Sequence, residues 1–240
     1  MTDLFTFGLL PQYTMNSSGG YYAGNTALYV MGLILTAVLG YLLGSVNFAL
    51  VISRVFYRDD IRRHGSGNAG MTNMLRTYGK KAAALTLLGD AAKTVIAAFL
   101  GSILIGTLGY GGYAGAFAVI LGHIFPVFYG FKGGKGVVAA AMMVLCTSPI
   151  TFAILLVMFV LIVATTKYLS LGSIIGMMIY PLILARIAGA GPHVLIAFAA
   201  AALIVFMHRS NIKRLFAGEE SKFSLKSKKD KKEKNEENKK

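Results

Sequence analysis

The sequence predicts an all-α fold, a polytopic integral membrane helical bundle of about seven transmembrane helices with the N-terminus outside and the C-terminus cytoplasmic. Three observations carry that prediction. The 240 residues are 55% hydrophobic and 14% charged, with mean hydropathy +0.63, against about 25% charged residues in a soluble domain. Long apolar stretches at Leu28 to Ile52, Ala82 to Leu108 and His193 to Met207 approach or exceed the ~20 residues that a spanning helix needs. The cations cluster in alternate loops, as they do on the cytoplasmic side of membrane proteins.

Residues 1–27 read as an exposed lead-in. They hold no basic segment, and the polar run Asn16 to Gly20 does not fit a cleavable signal peptide. The first crossing is expected over 28–53, followed by a cytoplasmic loop carrying Arg54, Arg58, Arg62, Arg63, Arg76, Lys80 and Lys81. Crossings at 82–107 and 112–129 enclose a nearly uncharged outer turn and lead to a second cationic loop with Lys132 and Lys135. The next crossings, 137–148 and 149–166, share about thirty residues, with Thr147, Ser148 and Pro149 as the only turn, so both lie near the short limit. One tilted helix is the rival there, and it would misplace Lys167. The last crossings, 171–188 and 193–208, end at Arg209, Lys213 and Arg214. A membrane-embedded domain over 28–220 is thus expected, followed by a disordered, basic cytoplasmic tail over 221–240. The tail supplies +5 of the net +14 and is too polar to bury a core. It serves as a topology signal or is drawn to anionic lipid. Cys146 is the single cysteine, which excludes a disulfide framework.

Two loops carry chemistry. Gly65-Ser66-Gly67-Asn68-Ala69-Gly70 matches G-x-G-x-x-G in letters, but a dinucleotide fingerprint needs a strand before it and a βαβ unit around it. Here a membrane helix precedes it. Its glycines admit close backbone approach, and Ser66, Gly67, Asn68, Thr72 and Asn73 line it. Thr72 or Asn73 is placed to cap a helix whose amides favour an anion. Arg76 adds a bidentate fork. The second loop, Phe131-Lys132-Gly133-Gly134-Lys135-Gly136, precedes an apolar helix. Successive glycine amides, a helix start and two lysines suit a phosphate. It is not a Walker A loop, since Gly136 stands where Ser or Thr would bind magnesium. Asp90 and Lys93 lie one turn apart inside a spanning helix, where ionisable residues mark function or form a neutral packing pair. His208 and Asn211, three apart, can face one point, and Ser170 and Ser173 stand near the same boundary.

Taken in order, several segments resemble one family. They are Gly44 to Ala49, Gly65 to Arg76, Leu121 to Val127 leading into Phe131 to Val137, Ser170 to Ile174, and His208 to Leu215. The chain from about Leu33 to Gly218 is similar to the bacterial acyl-phosphate-dependent glycerol-3-phosphate acyltransferases, the PlsY family. The resemblance implies a multi-pass enzyme of the bacterial plasma (inner) membrane with its active site facing the cytoplasm. It would move a fatty acyl group from acyl phosphate to the 1-hydroxyl of glycerol 3-phosphate, giving lysophosphatidic acid and inorganic phosphate, with no acyl-enzyme and the donor phosphate as base. Ser66, Arg76, Lys135, His208 and Asn211 then correspond to catalytic positions. Gly67, Asn68, Thr72, Asn73, Lys132, Gly133, Gly134, Gly136 and Ser173 correspond to substrate- and phosphate-binding ones. No cofactor and no metal are implied. The expected partners are the two substrates, membrane lipid and the enzyme that produces acyl phosphate, with no nucleic acid. Ala139, Met71 and Ser210 depart from the family's usual residues and read as tuning.

Other classes fit less well. A transporter for a phosphorylated metabolite would use the basic loops and Asp90 with Lys93, but the chain lacks the paired halves that transporters often show. A lipid phosphatase or phosphatidyl transferase would need acidic metal ligands, and Asp59, Asp60, Glu219 and Glu220 have no such spacing.

Overall fold

The computed structural model describes residues 13–15, 21–23, 26–106 and 110–223. Most of the expected lead-in and the lysine-rich stretch 224–240 lie outside the described residues. In the lead-in, β1 (Tyr13–Met15) and β2 (Tyr21–Ala23) pair antiparallel with Thr14 opposite Tyr22. From Thr26 onward every regular described element is helical, the arrangement that satisfies backbone groups inside lipid.

α1 (Thr26–Ser45) has 20 residues and so rises about 30 Å. The sequence expects this helix to run unbroken to 53, but it stops at Val46 and Asn47 and restarts as α2 (Phe48–Tyr57). Asn47 causes the restart. Its Oδ1 accepts from the Leu50 amide at 3.1 Å, capping α2, while its Nδ2 donates to the Ala69 carbonyl at 3.3 Å. α3 (Met71–Tyr78) is short and leads directly into α4 (Lys80–Ile105), of 26 residues.

α5 (Gly111–Ile124) ends before Pro126, and a single 3-10 turn, Val127–Tyr129, completes what the sequence reads as one crossing to 129. α6 (Val137–Thr147), α7 (Pro149–Thr166), α8 (Leu169–Ala188) and α9 (Pro192–Met207) follow at the expected places, and α10 (Arg209–Phe216) closes the described chain. Among the described residues five segments are long and apolar enough to cross a bilayer, and α9 with α10, bent by 56°, makes six if the pair is counted as one span. α6 has 11 residues and rises only about 16 Å, about half the ~30 Å hydrocarbon core.

Small residues allow α1, α4 and α5 to touch backbone to backbone, as membrane helices do. A Cβ on Gly40 would lie 2.7 Å from the Gly115 carbonyl oxygen, and one on Gly111 would collide with the Gly101 carbonyl. A larger apolar cluster joins α5 and α6 to α8 and α9 through Ile120, Met143, Tyr180, Leu184 and Ile204. Ile150, Val157, Val160 and Leu161 of α7 point outward, as a lipid-facing helix requires. This packing brings the α2–α3 loop, the α5–α6 loop, the start of α8 and the α9–α10 bend to one end of the bundle.

Candidate active site

The α2–α3 loop is shaped from within. Asp60 accepts from the Arg62 amide at 3.0 Å and from its guanidinium at 2.7 Å. The Arg62 hydrogen bonds outweigh burial and hold the Asp60 carboxyl well below the usual carboxylate range. Arg62 then reaches across to the α5–α6 loop, donating to the carbonyls of Tyr129 at 3.0 Å and Lys132 at 3.1 Å. The two loops the sequence singles out are therefore clamped together. Asn73, expected at the ligand or as a cap, serves the loop instead. Its Nδ2 donates to the Ile61 and His64 carbonyls and its Oδ1 accepts from the Ser66 amide at 3.1 Å. The cap of α3 is Gly70, with no side-chain capping bond, so the capping role expected of Thr72 or Asn73 is not taken by either. Ser66 and Gly67 stand exposed at the loop's tip, with Asn68 and Thr72 half-buried beside it.

The α5–α6 loop also differs from expectation in one respect. The amides of Gly133 and Gly134, expected to face a ligand, donate to the carbonyls of Ile124 at 3.1 Å and His123 at 3.0 Å. The end of α5 has carbonyls in need of donors, and the loop supplies them. The glycines are required by close approach. A Cβ on Gly133 would lie 2.8 Å from Pro126 Cδ, and one on Gly134 would collide with His123 Nε2 and lie 2.6 Å from the Ala69 carbonyl of the other loop. Gly136 turns the chain into α6 at φ +79°, a conformation suited to glycine. What the loop presents is the Lys135 side chain beside the start of α6, while Lys132 is exposed.

Lys135 joins this loop to the far helices. Its ammonium donates to Asn211 Oδ1, and Asn211 Nδ2 donates to Glu220 Oε1 at 2.6 Å. Ser170 donates to the same oxygen at 2.7 Å, and Arg214 Nε donates to Glu220 Oε2 at 2.7 Å. Arg76 Nη2 reaches the Ser221 carbonyl at 3.5 Å. Burial pushes the Lys135 ammonium down to about 8; Glu220 opposes the shift, and Arg214 and Arg76 add to it. Burial works against ionising Glu220, but its bonds from Ser170, Asn211 and Arg214 keep its carboxyl below the usual range. His208 sits buried at the α9–α10 bend with Nδ1 2.7 Å from the Ile204 carbonyl. A carbonyl only accepts, so Nδ1 carries the proton and a neutral ring keeps its lone pair on Nε2.

The structure thus joins Lys135, Asn211 and Arg76 in one network and leaves Ser66 exposed on the neighbouring loop. Ser173 is buried with its hydroxyl returned to the Leu169 carbonyl at 2.9 Å, and Ser170, one turn earlier, enters the network instead. Glu220 and Arg62 were not singled out as site residues. Their signal was faint: one carboxylate opposite a basic turn, and one arginine among several in a cationic loop. Arg76 and Arg214 lie close enough to Lys135 to repel its charge, and Glu220, paired with Arg214, is the one carboxylate acting on it, so the cluster is short of negative charge and suits an anion. Among the described residues no three His, Cys, Asp or Glu side chains gather as metal ligands would.

Residues 34–218 match the family model described as glycerol-3-phosphate acyltransferase. A glycerol-3-phosphate acyltransferase of Thermoanaerobacter pseudethanolicus is 42% identical over 194 residues, covering 81% of this chain and 97% of that protein. One from Clostridioides difficile is 37% identical over 201 residues, covering 82% and 98%. Among solved structures, the crystal structure of PlsY (YgiH), an integral membrane glycerol 3-phosphate acyltransferase in its glycerol 3-phosphate form, is 36% identical with TM-score 0.75, covering 80% of this chain and 96% of that one. Its lysophosphatidic acid form gives 34% and 0.72.

Proposed function

The chain belongs to the glycerol-3-phosphate acyltransferase family, and from that premise we propose that it acylates the 1-hydroxyl of glycerol 3-phosphate with acyl phosphate as donor. The hydroxyl oxygen bonds to the acyl carbonyl carbon while the bond from that carbon to the phosphate oxygen breaks. The hydroxyl proton passes to the departing phosphate. Lysophosphatidic acid and inorganic phosphate result, and no acyl-enzyme forms. An acyl phosphate is a mixed anhydride with a good leaving group, so the protein's task is to hold two phosphorylated molecules in line and offset their charge.

Lys135 and Arg76 are the charge-bearing groups in this reading, Asn211 orients Lys135, His208 offers Nε2 toward the same end of the bundle, and Ser66 contributes a hydroxyl from the exposed loop. Gly67, Asn68, Thr72, Lys132, Gly136 and the close-packed Gly133 and Gly134 shape the phosphate positions, with Asn73 supporting them from behind and Ser173 at the boundary. The observation that carries the proposal is the convergence of Arg76, Lys135 and Arg214 at the seam between two glycine loops. The protein is a multi-pass membrane protein. We place this end of the bundle in the cytoplasm of the bacterial plasma membrane because the cationic loops lie there. An outer N-terminus, a cytoplasmic C-terminus and seven crossings, with α6 as a short one, complete the topology. The catalytic domain spans 28–220. The enzyme that makes acyl phosphate is the natural functional partner, because its product is reactive and partitions into the bilayer.

Purified protein in detergent, given glycerol 3-phosphate with palmitoyl phosphate, palmitoyl-CoA or palmitoylated carrier protein in parallel, tests this. Lysophosphatidic acid and phosphate should appear from palmitoyl phosphate alone. Product from another donor only, or from none, would sink the proposal.

A further inference from the structure

Asp90 and Lys93 of α4 are 1% and 3% exposed, and His123 at the end of α5 is 5% exposed. None of the three enters the reaction proposed above, yet ionisable groups at this depth are costly. Lys93 Nζ lies 2.8 Å from Asp90 Oδ1, 3.1 Å from the Gly44 carbonyl, 2.9 Å from the Val46 carbonyl and 3.1 Å from His123 Nδ1. The two carbonyls belong to the break between α1 and α2, where helix-end acceptors lack intrahelical partners and have no water to replace them.

The same group faces the site. An ammonium only donates, so His123 Nδ1 accepts and the ring proton sits on Nε2, the nitrogen that a Cβ on Gly134 would strike. The His123 carbonyl accepts from the Gly134 amide. At the α1–α2 break, Asn47 holds the Ala69 carbonyl of the other loop, and Ser45 Oγ accepts from the Val127 amide at 3.3 Å. Lys93 therefore braces both loops at once, one through His123 and one through the broken span.

We propose that Asp90, Lys93 and His123 form a charge-balanced positioning unit that sets the spacing of the two anion-holding loops from inside the membrane; this rests on the reading of those loops as phosphate-binding. Lys93 supplies the donors, Asp90 neutralises it, and His123 transmits its position to Gly134.

The experiment compares His123→Ala, His123→Asn and Lys93→Met as monodisperse protein in detergent, measuring kcat and KM for each substrate alongside thermal unfolding. His123→Ala should raise KM for at least one phosphorylated substrate tenfold or more with kcat within threefold. His123→Asn, whose amide oxygen can replace Nδ1 as the acceptor from Lys93, should recover most of that loss. His123→Ala combined with Lys93→Met should be no worse than the poorer single variant within about twofold, as coupled residues behave. Unchanged KM with only a lower Tm, equal KM in Ala and Asn, or multiplicative single effects would each overturn the proposal. If Lys93→Met does not fold, the His123 pair decides alone. Wild-type turnover in the same assay reports on the parent reading, and calorimetric binding of inorganic phosphate to wild type and His123→Ala reads the loop without any turnover.

Discussion

Two charged clusters in this molecule share chemistry and differ in balance. At the loop end, Arg76 and Arg214 lie near Lys135, and one carboxylate, Glu220, pairs with Arg214 and reaches Lys135 through Asn211, with Ser170 on the same oxygen. Inside the bundle, Lys93 pairs its charge with Asp90 at 2.8 Å and gives its three donors to two carbonyls and a ring nitrogen. The outer cluster holds more positive charge than its one carboxylate balances, as the proposed phosphate site requires. The inner one is balanced in charge without any ligand. In the proposed reading the cation surplus binds substrate and the matched set braces the loops.

The largest effect expected from this contrast lies at the surplus. Lys135→Ala and Arg76→Ala should each reduce kcat about 10³-fold or more, because each removes a fixed charge opposite one that develops in the reaction. The acyl phosphate assay measures this, with unfolding temperature as control. Near-normal turnover in either variant would place the site elsewhere.

A smaller effect separates the two clusters by pH. Burial brings Lys135 down to about 8, so its charged form is complete below that value and is lost as pH rises through it. Turnover limited by Lys135 should therefore decline above about pH 8. Lys135→Arg keeps its charge at all these pH values, so the alkaline decline should vanish in whatever activity it retains. Glu220 supports the charged form of Lys135, so Glu220→Gln should move the decline to lower pH. A profile that is the same in all three proteins would show that some other group titrates.

The contrast also explains what the sequence made legible. Long apolar stretches placed α4, α6, α7, α8 and α9 to within two residues, since hydrophobic length is a local property. The break at Asn47 was not read from the sequence, because a capping asparagine inside an apolar run looks like any other, and its second bond goes to Ala69, 22 positions away. The glycine loops were legible as close-approach backbone, but the direction of the Gly133 and Gly134 amides was set by the unsatisfied end of α5. Lys135 and Arg76 stood out by charge. Glu220 did not, because its role depends on Ser170, Asn211 and Arg214 arriving from two other elements. Asp90 and Lys93 were conspicuous, and only their contacts with His123 and the α1–α2 break indicate what they do.

The smallest expected effect concerns the end of the chain, and the structure shifts where the cut should fall. The sequence places the tail from 221, but the Ser221 carbonyl accepts from Arg76 at 3.5 Å and the Phe223 amide donates to the Lys167 carbonyl at 2.7 Å. Residues 221–223 therefore brace the cationic cluster, and truncation after Gly218 should lower turnover by removing Glu220 as well. Truncation after Phe223 removes eight of the tail's lysines and all four of its acids without touching any of these bonds, so turnover in detergent should stay within twofold of the full chain. A large loss on that second cut would mean that the charge surplus extends beyond the loop end into the lysine-rich stretch.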